Sequence, residues 1–365
     1  MDTEILLARI YTDQSKSIKK ISVIWIPDAF ISNSYVYSIW KQKINVVPYN
    51  LVTSAILFSA IFVEKLIKVR ITYRFIGWDG YLKYIHLLEN TPTVFSMPEA
   101  DEEECIKTLI TNGIDTSKQW VCILARDSGY LNQTFPNLNW DFNTYRNSSI
   151  ETYEASAEYL AGKNIITFRM GNNVDRPFPA GNTKLVIDYA NSTWQTEKMD
   201  IFLAMRCFFF ISSGSGLDAI QIATRRPLLG VNIAQPLHII RSKPNYLFIL
   251  KYFFHETDNI FLSPHNYYNI GSKLGFTVDN PLHLRSQDIV RLGIKVIDNT
   301  SREIKDATVE MYDMLTNKDT HKSELSERQM KFWEKFPKLP EIDNSGPPLS
   351  RIGGKFLQQN PWLIE

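Results

Sequence analysis

Five small residues, Ser212-Ser213-Gly214-Ser215-Gly216, follow an apolar run in the segment CFFFISSGSGLDAIQIATRRPLLGVN, residues 207–232. A buried strand that enters a helix through small residues leaves backbone N–H groups uncovered at the positive end of the helix. Phosphate oxygens bind at such a turn, serine hydroxyls add donors, and glycines allow a ligand to approach closely. The segment therefore predicts a phosphate or ligand contact, with a purely structural turn as the alternative. It is not a P-loop, because no Gly-Lys-Ser/Thr follows.

Charged and polar residues also follow the neighbouring apolar runs. They are Arg126, Asp127 and Tyr130 after WVCIL, Arg169 and Gly171 after NIITF, Asp188 and Tyr189 after KLVI, and Asn232 after PLLGV. Arginine suits a diphosphate because its planar fork donates two charge-assisted bonds. Aspartate and asparagine can hold sugar hydroxyls, and tyrosine can stack on a base. Together these residues predict a site for an anionic nucleotide, which Arg146 and Asn147 could join. For any one arginine, the alternative is a solvated charge or a salt bridge.

The elements that must position these residues alternate in type. From Gln119 onward, apolar strand-like runs alternate with helical segments of about ten residues, which predicts parallel βαβ units and a doubly wound sheet. Such sheets bind ligands beyond the carboxyl ends of their strands. The segment EADEEECIKTLITNGI, residues 99–114, reads as a helix that starts with acidic residues and stops at Asn112-Gly113. We therefore place a domain boundary near Ser117, between residues 1–117 and 118–365. Two strands are expected in the first part, at residues 20–26 and 68–77.

Composition limits the classes of function. The chain has 365 residues, 44% of them apolar and 13% aromatic, which suffices for packed cores. The formal net charge of +1 argues against nucleic acid as a partner. Cys105, Cys122 and Cys207 lack metal-type spacing, and the last two lie in apolar runs that indicate core packing. The histidines form no HExxH motif, so neither a metal nor a cofactor is expected.

The most apolar stretch is LVTSAILFSAIF, residues 51–62. It is too short to cross a hydrocarbon core of roughly 30 Å, which takes about 20 residues. A buried helix is the favoured interpretation. The alternative is a helix lying on a membrane surface, since Lys65, Lys68 and Arg70 follow it. The N-terminus lacks the basic-then-apolar order of a secretory signal, so we expect a cytoplasmic protein, with peripheral contact at the inner membrane surface as the alternative.

A succession of these segments resembles a family of bacterial glycosyltransferases. The segments are WVCILARDSGYL, YRNSSIETYEASAEYLAGKNIITFRMG, VIDYANS, DIFLAMRCFFFISSGSGL and RRPLLGVN, and the closing SRIGGKFLQQNPWL is also similar. The strand–SSGSG–helix arrangement is similar to the donor site of heptosyltransferases and fucosyltransferases. The resemblance implies an α/β fold of GT-B type, with two Rossmann-like domains that face a cleft and parallel sheets flanked by helices. No glycine precedes Gly77, so we expect the acceptor-side domain, residues 1–117, to be short or divergent.

The resemblance also implies a function and a set of donor-site positions. These positions are Arg126, Asp127, Arg146, Asn147, Arg169, Asp188, Tyr189, Ser213, Ser215 and Gly216. The expected reaction moves a sugar from a nucleotide-sugar donor to a hydroxyl of a glycan, lipid-linked or protein acceptor, without a metal. It would serve surface polysaccharide, glycolipid or glycoprotein synthesis. Asp127 and Asp79 are the candidates for a catalytic base. Two alternatives remain: a nucleotide-sugar epimerase of the same fold, and a non-catalytic relative that binds a nucleotide sugar or a partner enzyme.

Overall fold

The computed structural model describes residues 23–26, 31–43, 45–48, 50–67, 88, 91–181, 183–274, 284–317, 325–338 and 348–365. Asp79 and the strand expected at residues 68–77 lie outside these ranges.

A parallel sheet forms the centre of the described part. Most residues of its strands are apolar and buried, as in Trp120–Leu124, because helices flank the sheet and leave neither face to water. In sheet order the seven strands are β12 (Arg351–Ile352), β8 (Tyr246–Leu250), β7 (Leu228–Ile233), β6 (Phe210–Ser212), β3 (Trp120–Leu124), β4 (Ile166–Arg169) and β5 (Val186–Ile187). All neighbouring pairs run parallel; Leu124 lies opposite Ser212, and Ser212 opposite Gly230. The α/β class with a parallel sheet flanked by helices is confirmed.

Helices connect and cover these strands. Their bounds are α1 (Ser34–Lys43), α2 (Leu51–Ile67), α3 (Glu99–Thr111), α4 (Gly129–Thr134), α5 (Glu154–Gly162), α6 (Glu197–Arg206), α7 (Asp218–Thr224), α8 (Pro264–Lys273), α9 (Ser286–Arg291), α10 (Ser301–Thr316), α11 (Glu327–Lys335) and α12 (Gly354–Gln359). Their starts follow local chemistry: Thr300 and Glu303 form a capping box that begins α10. Five short 3₁₀ segments are Asp141–Arg146, Ile150–Tyr153, Tyr189–Asn191, Pro236–His238 and Pro361–Leu363. The segment Ile150–Tyr153 runs directly into α5, so this helical stretch begins as a 3₁₀ turn and becomes α-helical at Glu154.

Smaller sheets lie outside the central one. Strand β9 (Tyr252–His255) pairs in antiparallel fashion with β10 (Ile260–Phe261) and with β11 (Ile294–Ile297). Strands β1 (Val23–Ile26) and β2 (Asn45–Pro48) pair in parallel. Part of the expected strand at residues 20–26 is thus present. A complete second Rossmann-like domain stays a prediction.

Helix α2 departs from the buried interpretation. Its outward residues are apolar and exposed, with Leu51 at 90%, Phe58 at 64% and Leu66 at 65%. At 100° per residue these positions share one face, so the apolar stripe points to solvent rather than into the core. The prediction of a buried helix is wrong for the residues described here. None of the described helices is long and apolar enough to cross a bilayer.

Helix α3 belongs physically to the neighbourhood of the central sheet. Lys198 in α6 pairs with Asp101 at 3.3 Å and with Glu104 at 2.6 Å, and Cys105 and Leu109 join the common core. These contacts cross the expected division near Ser117, which stays a prediction. All three cysteines are buried free thiols, as expected of residues that pack in a core.

Candidate functional site

The SSGSG loop joins β6 to α7 at the carboxyl edge of the sheet. Gly214 has a φ of +85°, a conformation that side chains with a Cβ rarely adopt. Gly216 has an ordinary φ, and no described atom lies within 4 Å of where its Cβ would be. Its exposed N–H donates to no described residue. The space over Gly216 is therefore open to a ligand.

The serines of the loop are largely occupied by the loop itself. The Ser213 hydroxyl accepts from the Arg126 N–H at 2.8 Å, and the Ser212 hydroxyl accepts from Gly214 N–H at 3.2 Å. The Ser215 hydroxyl accepts from Leu217 N–H at 3.3 Å. The sequence argument also invoked a helix dipole, but α7 has only 7 residues, so the dipole contributes little. Because an accepting hydroxyl keeps its own O–H proton, the loop offers an anion the open backbone at Gly216 and the charges beside it as well as its serine donors.

Two arginines provide those charges. Arg126 follows β3, and Arg146 ends the 3₁₀ segment Asp141–Arg146, from which its Nη2 donates to the Gly214 carbonyl at 3.1 Å. Burial, followed by the charge of Arg146, lowers the pKa of Arg126 to about 10. The buried Nε of Arg126 donates to no described residue. Two guanidinium groups held close to each other favour an anion beside them, because like charges disfavour one another.

Lys251 holds the segment that carries Arg146. The lysine follows β8, its side chain is 1% exposed, and its Nζ donates to the Tyr145 carbonyl at 3.0 Å and to the Asn147 carbonyl. The same group pairs with Asp298 at 2.6 Å. Burial lowers the pKa of Lys251, and Asp298 opposes that shift. Because both carbonyls flank Arg146, the lysine fixes the backbone from which the guanidinium reaches the loop.

Lys251 could not be recognised from its type and spacing. Its sequence signal is a lone lysine inside the apolar run YLFILKYFF, and nothing in the sequence shows that it points to residues 145–147. Asn147, which the sequence did single out, donates from Nδ2 to the Ser128 hydroxyl at 2.7 Å and so braces the adjacent loop.

A second cluster combines Asp127, Arg169 and Asp188. The Arg169 side chain is 1% exposed and pairs with Asp188 at 3.3 Å and, more weakly, with Asp127 at 3.8 Å. Burial lowers the pKa of Arg169, and both aspartates oppose that shift. Asp188 also accepts from the Phe178 N–H at 3.0 Å. These contacts neutralise Arg169 and order the loop that follows β4, so this arginine lies beneath the site.

Asp127 stands between the two clusters. Its two oxygens accept from the Gly129 and Asp175 N–H groups, each at 3.1 Å, and burial raises its pKa. Its side chain remains 21% exposed, so it is accessible from solvent. Its role as a base stays a prediction. Asp79, the other candidate base, lies outside the described residues.

The remaining predicted site residues lie at varied depths. Tyr189 is fully buried, and its ring packs 4.7 Å from that of Trp194, so its face is covered by protein. Gly171 follows β4 with a φ of +142° and accepts from Gln195 through its carbonyl. Tyr130 is half-buried in α4.

Asn232 lies inside β7 rather than beyond it. It has a φ of 52° and exchanges hydrogen bonds of 2.7 and 2.6 Å with Asn299.

A cavity of about 130 Å³ opens beside the SSGSG loop. Its polar end consists of Arg146, the loop residues 213–216 and Asp218. The rest of its lining is mostly apolar, with Ile222, Ile233, Ala234, Ile239, Ile240 and Phe248, but it also includes Gln235 and His238. The structure thus brings Arg126, Arg146, Ser213, Ser215 and Gly216 together, whereas Arg169, Asp188 and Tyr189 lie in the neighbouring cluster beyond β4 and β5. Asp218 was not singled out by the sequence analysis, because an acidic residue in the first turn of a helix is common.

Comparisons with known proteins add weak matches of fold. No family model and no curated protein matches the sequence. A solved glycosyl transferase family 9 protein from Veillonella parvula has 12% identity and a TM-score of 0.40, over 84% of this chain and 77% of that one. A proposed UDP-N-acetylglucosamine 2-epimerase from Listeria monocytogenes has 9% identity and a TM-score of 0.32, over 99% and 76%. Neither match, at this level, supports an argument about chemistry.

Proposed function

We propose that the chain binds a nucleoside-diphosphate sugar at the SSGSG loop and transfers the sugar to a hydroxyl acceptor. The observation that carries this proposal is the pair Arg126 and Arg146. They lie beside an open loop backbone at the carboxyl edge of a parallel sheet, which is where such sheets bind ligands. A diphosphate suits this position because guanidinium groups donate charge-assisted hydrogen bonds to phosphate oxygens.

The chemistry follows from where charge develops. Transfer breaks the bond between the sugar carbon and the diphosphate oxygen, and the electron pair of that bond stays on the diphosphate. Fixed positive groups stabilise this growing negative charge more than they stabilise the intact donor. The acceptor hydroxyl forms the new bond and gives its proton to a base, for which Asp127 is the described candidate.

The proposal can be tested with a variant that removes charge without breaking a hydrogen bond. Arg126→Met deletes a guanidinium whose side chain donates to no described residue, so we expect the melting temperature to stay level or rise. We expect affinity for nucleoside diphosphates, measured by titration calorimetry, to fall by about 10-fold or more, since a charge-assisted hydrogen bond contributes about 1.5–3 kcal/mol. Arg302→Met is the matched control, because that arginine is 80% exposed on α10.

The outcomes separate the three functions under discussion. Release of free nucleoside diphosphate that increases with an acceptor hydroxyl supports transfer. Conversion of the donor to an epimeric nucleotide sugar indicates an epimerase instead. Binding without turnover indicates a non-catalytic relative. If no nucleoside diphosphate binds, or if Arg126→Met binds as tightly as the parent chain, the proposed site is wrong.

A further inference from the structure

Helix α2 carries a continuous apolar face that is open to solvent. The large apolar side chains on this face are 42–90% exposed. Its members, all exposed, are Leu51, Val52, Ala55, Ile56, Phe58, Ser59, Phe62, Val63 and Leu66. With 3.6 residues per turn, these positions fall within about 160° of the helix circumference. Single exposed apolar side chains are ordinary, whereas a contiguous apolar patch marks an interaction surface.

The orientation of α2 is the reverse of that of an ordinary surface helix. Such a helix turns its apolar stripe to the core and its polar side chains to water. In α2 the half-buried side chains that the structure describes are the small residues Thr53, Ser54 and Ala60, which lie outside the apolar face. The described part of the chain therefore gives this face no core to pack against.

The charges around α2 indicate what kind of surface it meets. Residues 34–74 contain six lysines and arginines and a single acid, although the whole chain has 40 basic and 39 acidic residues. Lys41 and Lys43 are exposed at the end of α1, and Lys65 and Lys68 stand within and just after the last turn of α2. A helix with one apolar face and cationic flanks binds the surface of a bilayer that contains anionic lipids. The acyl chains bury its apolar side chains, and the headgroups attract its lysines.

We propose that α2 lies on the surface of a bilayer containing anionic lipids, with Phe58 and Phe62 buried at the level of the acyl chains. A helix of 17 residues is about 25 Å long, shorter than a hydrocarbon core of roughly 30 Å, so it lies along the surface rather than across it. A second copy of the chain suits the face less well, because two copies meeting through α2 would bring their cationic segments together with few acids to balance them. The inference does not depend on the proposed function, since α2 contributes no residue to the candidate site.

The experiment is cosedimentation of the whole chain with vesicles of phosphatidylcholine, alone or mixed with phosphatidylglycerol. We expect the partition coefficient on the mixed, anionic vesicles to fall about 10-fold or more in Phe58→Ser/Phe62→Ser, because two large apolar side chains lose their burial. Leu138→Ser/Val290→Ser is the matched control, since both are exposed apolar residues outside α2, and it should bind as the parent chain does.

The charged flank is tested by Lys65→Gln/Lys68→Gln. This variant should bind the anionic vesicles about 10-fold or more weakly, because each lysine near an anionic surface adds to the attraction. Its binding to phosphatidylcholine alone should not change. Added salt should weaken binding of the parent chain to anionic vesicles, since it screens the same attraction.

A fluorophore that responds to its surroundings, attached at Phe62→Cys, reports the contact directly. The three native cysteines are buried, so the label reacts at position 62. We expect its emission to shift to the blue when anionic vesicles are added, and the emission of the same label at Leu138→Cys to stay unchanged.

Several results would overturn the inference. One is that the parent chain leaves anionic vesicles unbound, and another is that Phe58→Ser/Phe62→Ser binds them as tightly as the parent. A dimer in sedimentation equilibrium that this variant dissolves, without vesicle binding, would identify a second copy as the partner. A urea midpoint lower than that of Leu138→Ser/Val290→Ser, again without vesicle binding, would show that the chain covers the face itself.

Discussion

Replacing Lys251 by methionine tests whether the arginine site depends on its buried support. Methionine keeps most of the stem but removes the ammonium, which is held by two carbonyls and Asp298. Each carbonyl left without a donor in a buried position costs about 1–3 kcal/mol. Asp298 is 37% exposed, so water replaces the ammonium at its carboxylate. Removal of the buried, desolvated charge of Lys251 also offsets part of the stability lost at the two carbonyls. We expect the free energy of unfolding to fall by about 2 kcal/mol.

The assay combines urea unfolding with calorimetry against a nucleoside diphosphate. We expect affinity to fall by about 10-fold at temperatures where the variant is folded, because the backbone on both sides of Arg146 loses its anchor. Lys163→Met is the matched control: this exposed lysine lies over the rings of Tyr159 and Tyr312, and both readouts should change little. A stability loss with unchanged affinity would refute the positioning role, and no stability loss would refute the account of the buried bonds.

Two further predictions concern stability. Burial raises the pKa of Asp200 from 3.8 to about 6. Between about pH 4 and 6 the folded chain therefore keeps a proton that the unfolded chain releases, and the free energy of unfolding falls as pH rises through that window. Asp200→Asn should therefore gain up to about 3 kcal/mol at pH 7 and nothing at pH 4, and an equal gain at both pH values in urea melts would contradict this. Gly230→Ala places a Cβ 2.4 Å from a Phe248 ring atom and should lower the free energy of unfolding by about 1–3 kcal/mol. At Gly162 nothing lies within 4 Å of an added Cβ, so Gly162→Ala should be neutral or stabilising. Equal urea midpoints for the two variants would refute the clash at Gly230.

The sequence predicted the regular part of the fold because long apolar runs leave few choices. WVCIL, NIITF and the run before the SSGSG loop form strands of one parallel sheet, as their alternation with helical segments requires. The break at Lys251 was not predictable, because YLFILKYFF reads as one apolar segment. In the structure it is divided between β8 of the central sheet and β9 of a smaller antiparallel sheet. Which sheet a strand joins depends on distant partners that local periodicity does not encode.

In the SSGSG loop, too, the residue types predict some features of the structure and not others. Small residues at a strand end correctly predicted a tight turn with open backbone at Gly216. The serine hydroxyls were expected to be donors for a ligand, which stays a prediction; their oxygens also accept from the loop's own amides, as Ser213 does from the Arg126 N–H. Asp218 also lines the cavity, although its acidic side chain looked like an ordinary first-turn residue in the sequence.

The three arginines of the sheet edge are alike in sequence and different in role, and only their partners separate them. Arg169 is neutralised by Asp188 and Asp127 and is sealed from solvent, so it stabilises the fold around it. Burial and the charge of Arg146 instead lower the pKa of Arg126 to about 10, while Arg126 and Arg169 each keep a buried Nε that donates to no described residue. A folded chain tolerates such an arrangement when a ligand completes it, since the free energy lost in holding like charges together returns when an anion binds. The partners of each arginine, rather than the number of arginines, therefore support the proposal that an anionic donor binds at Arg126 and Arg146 and not at Arg169.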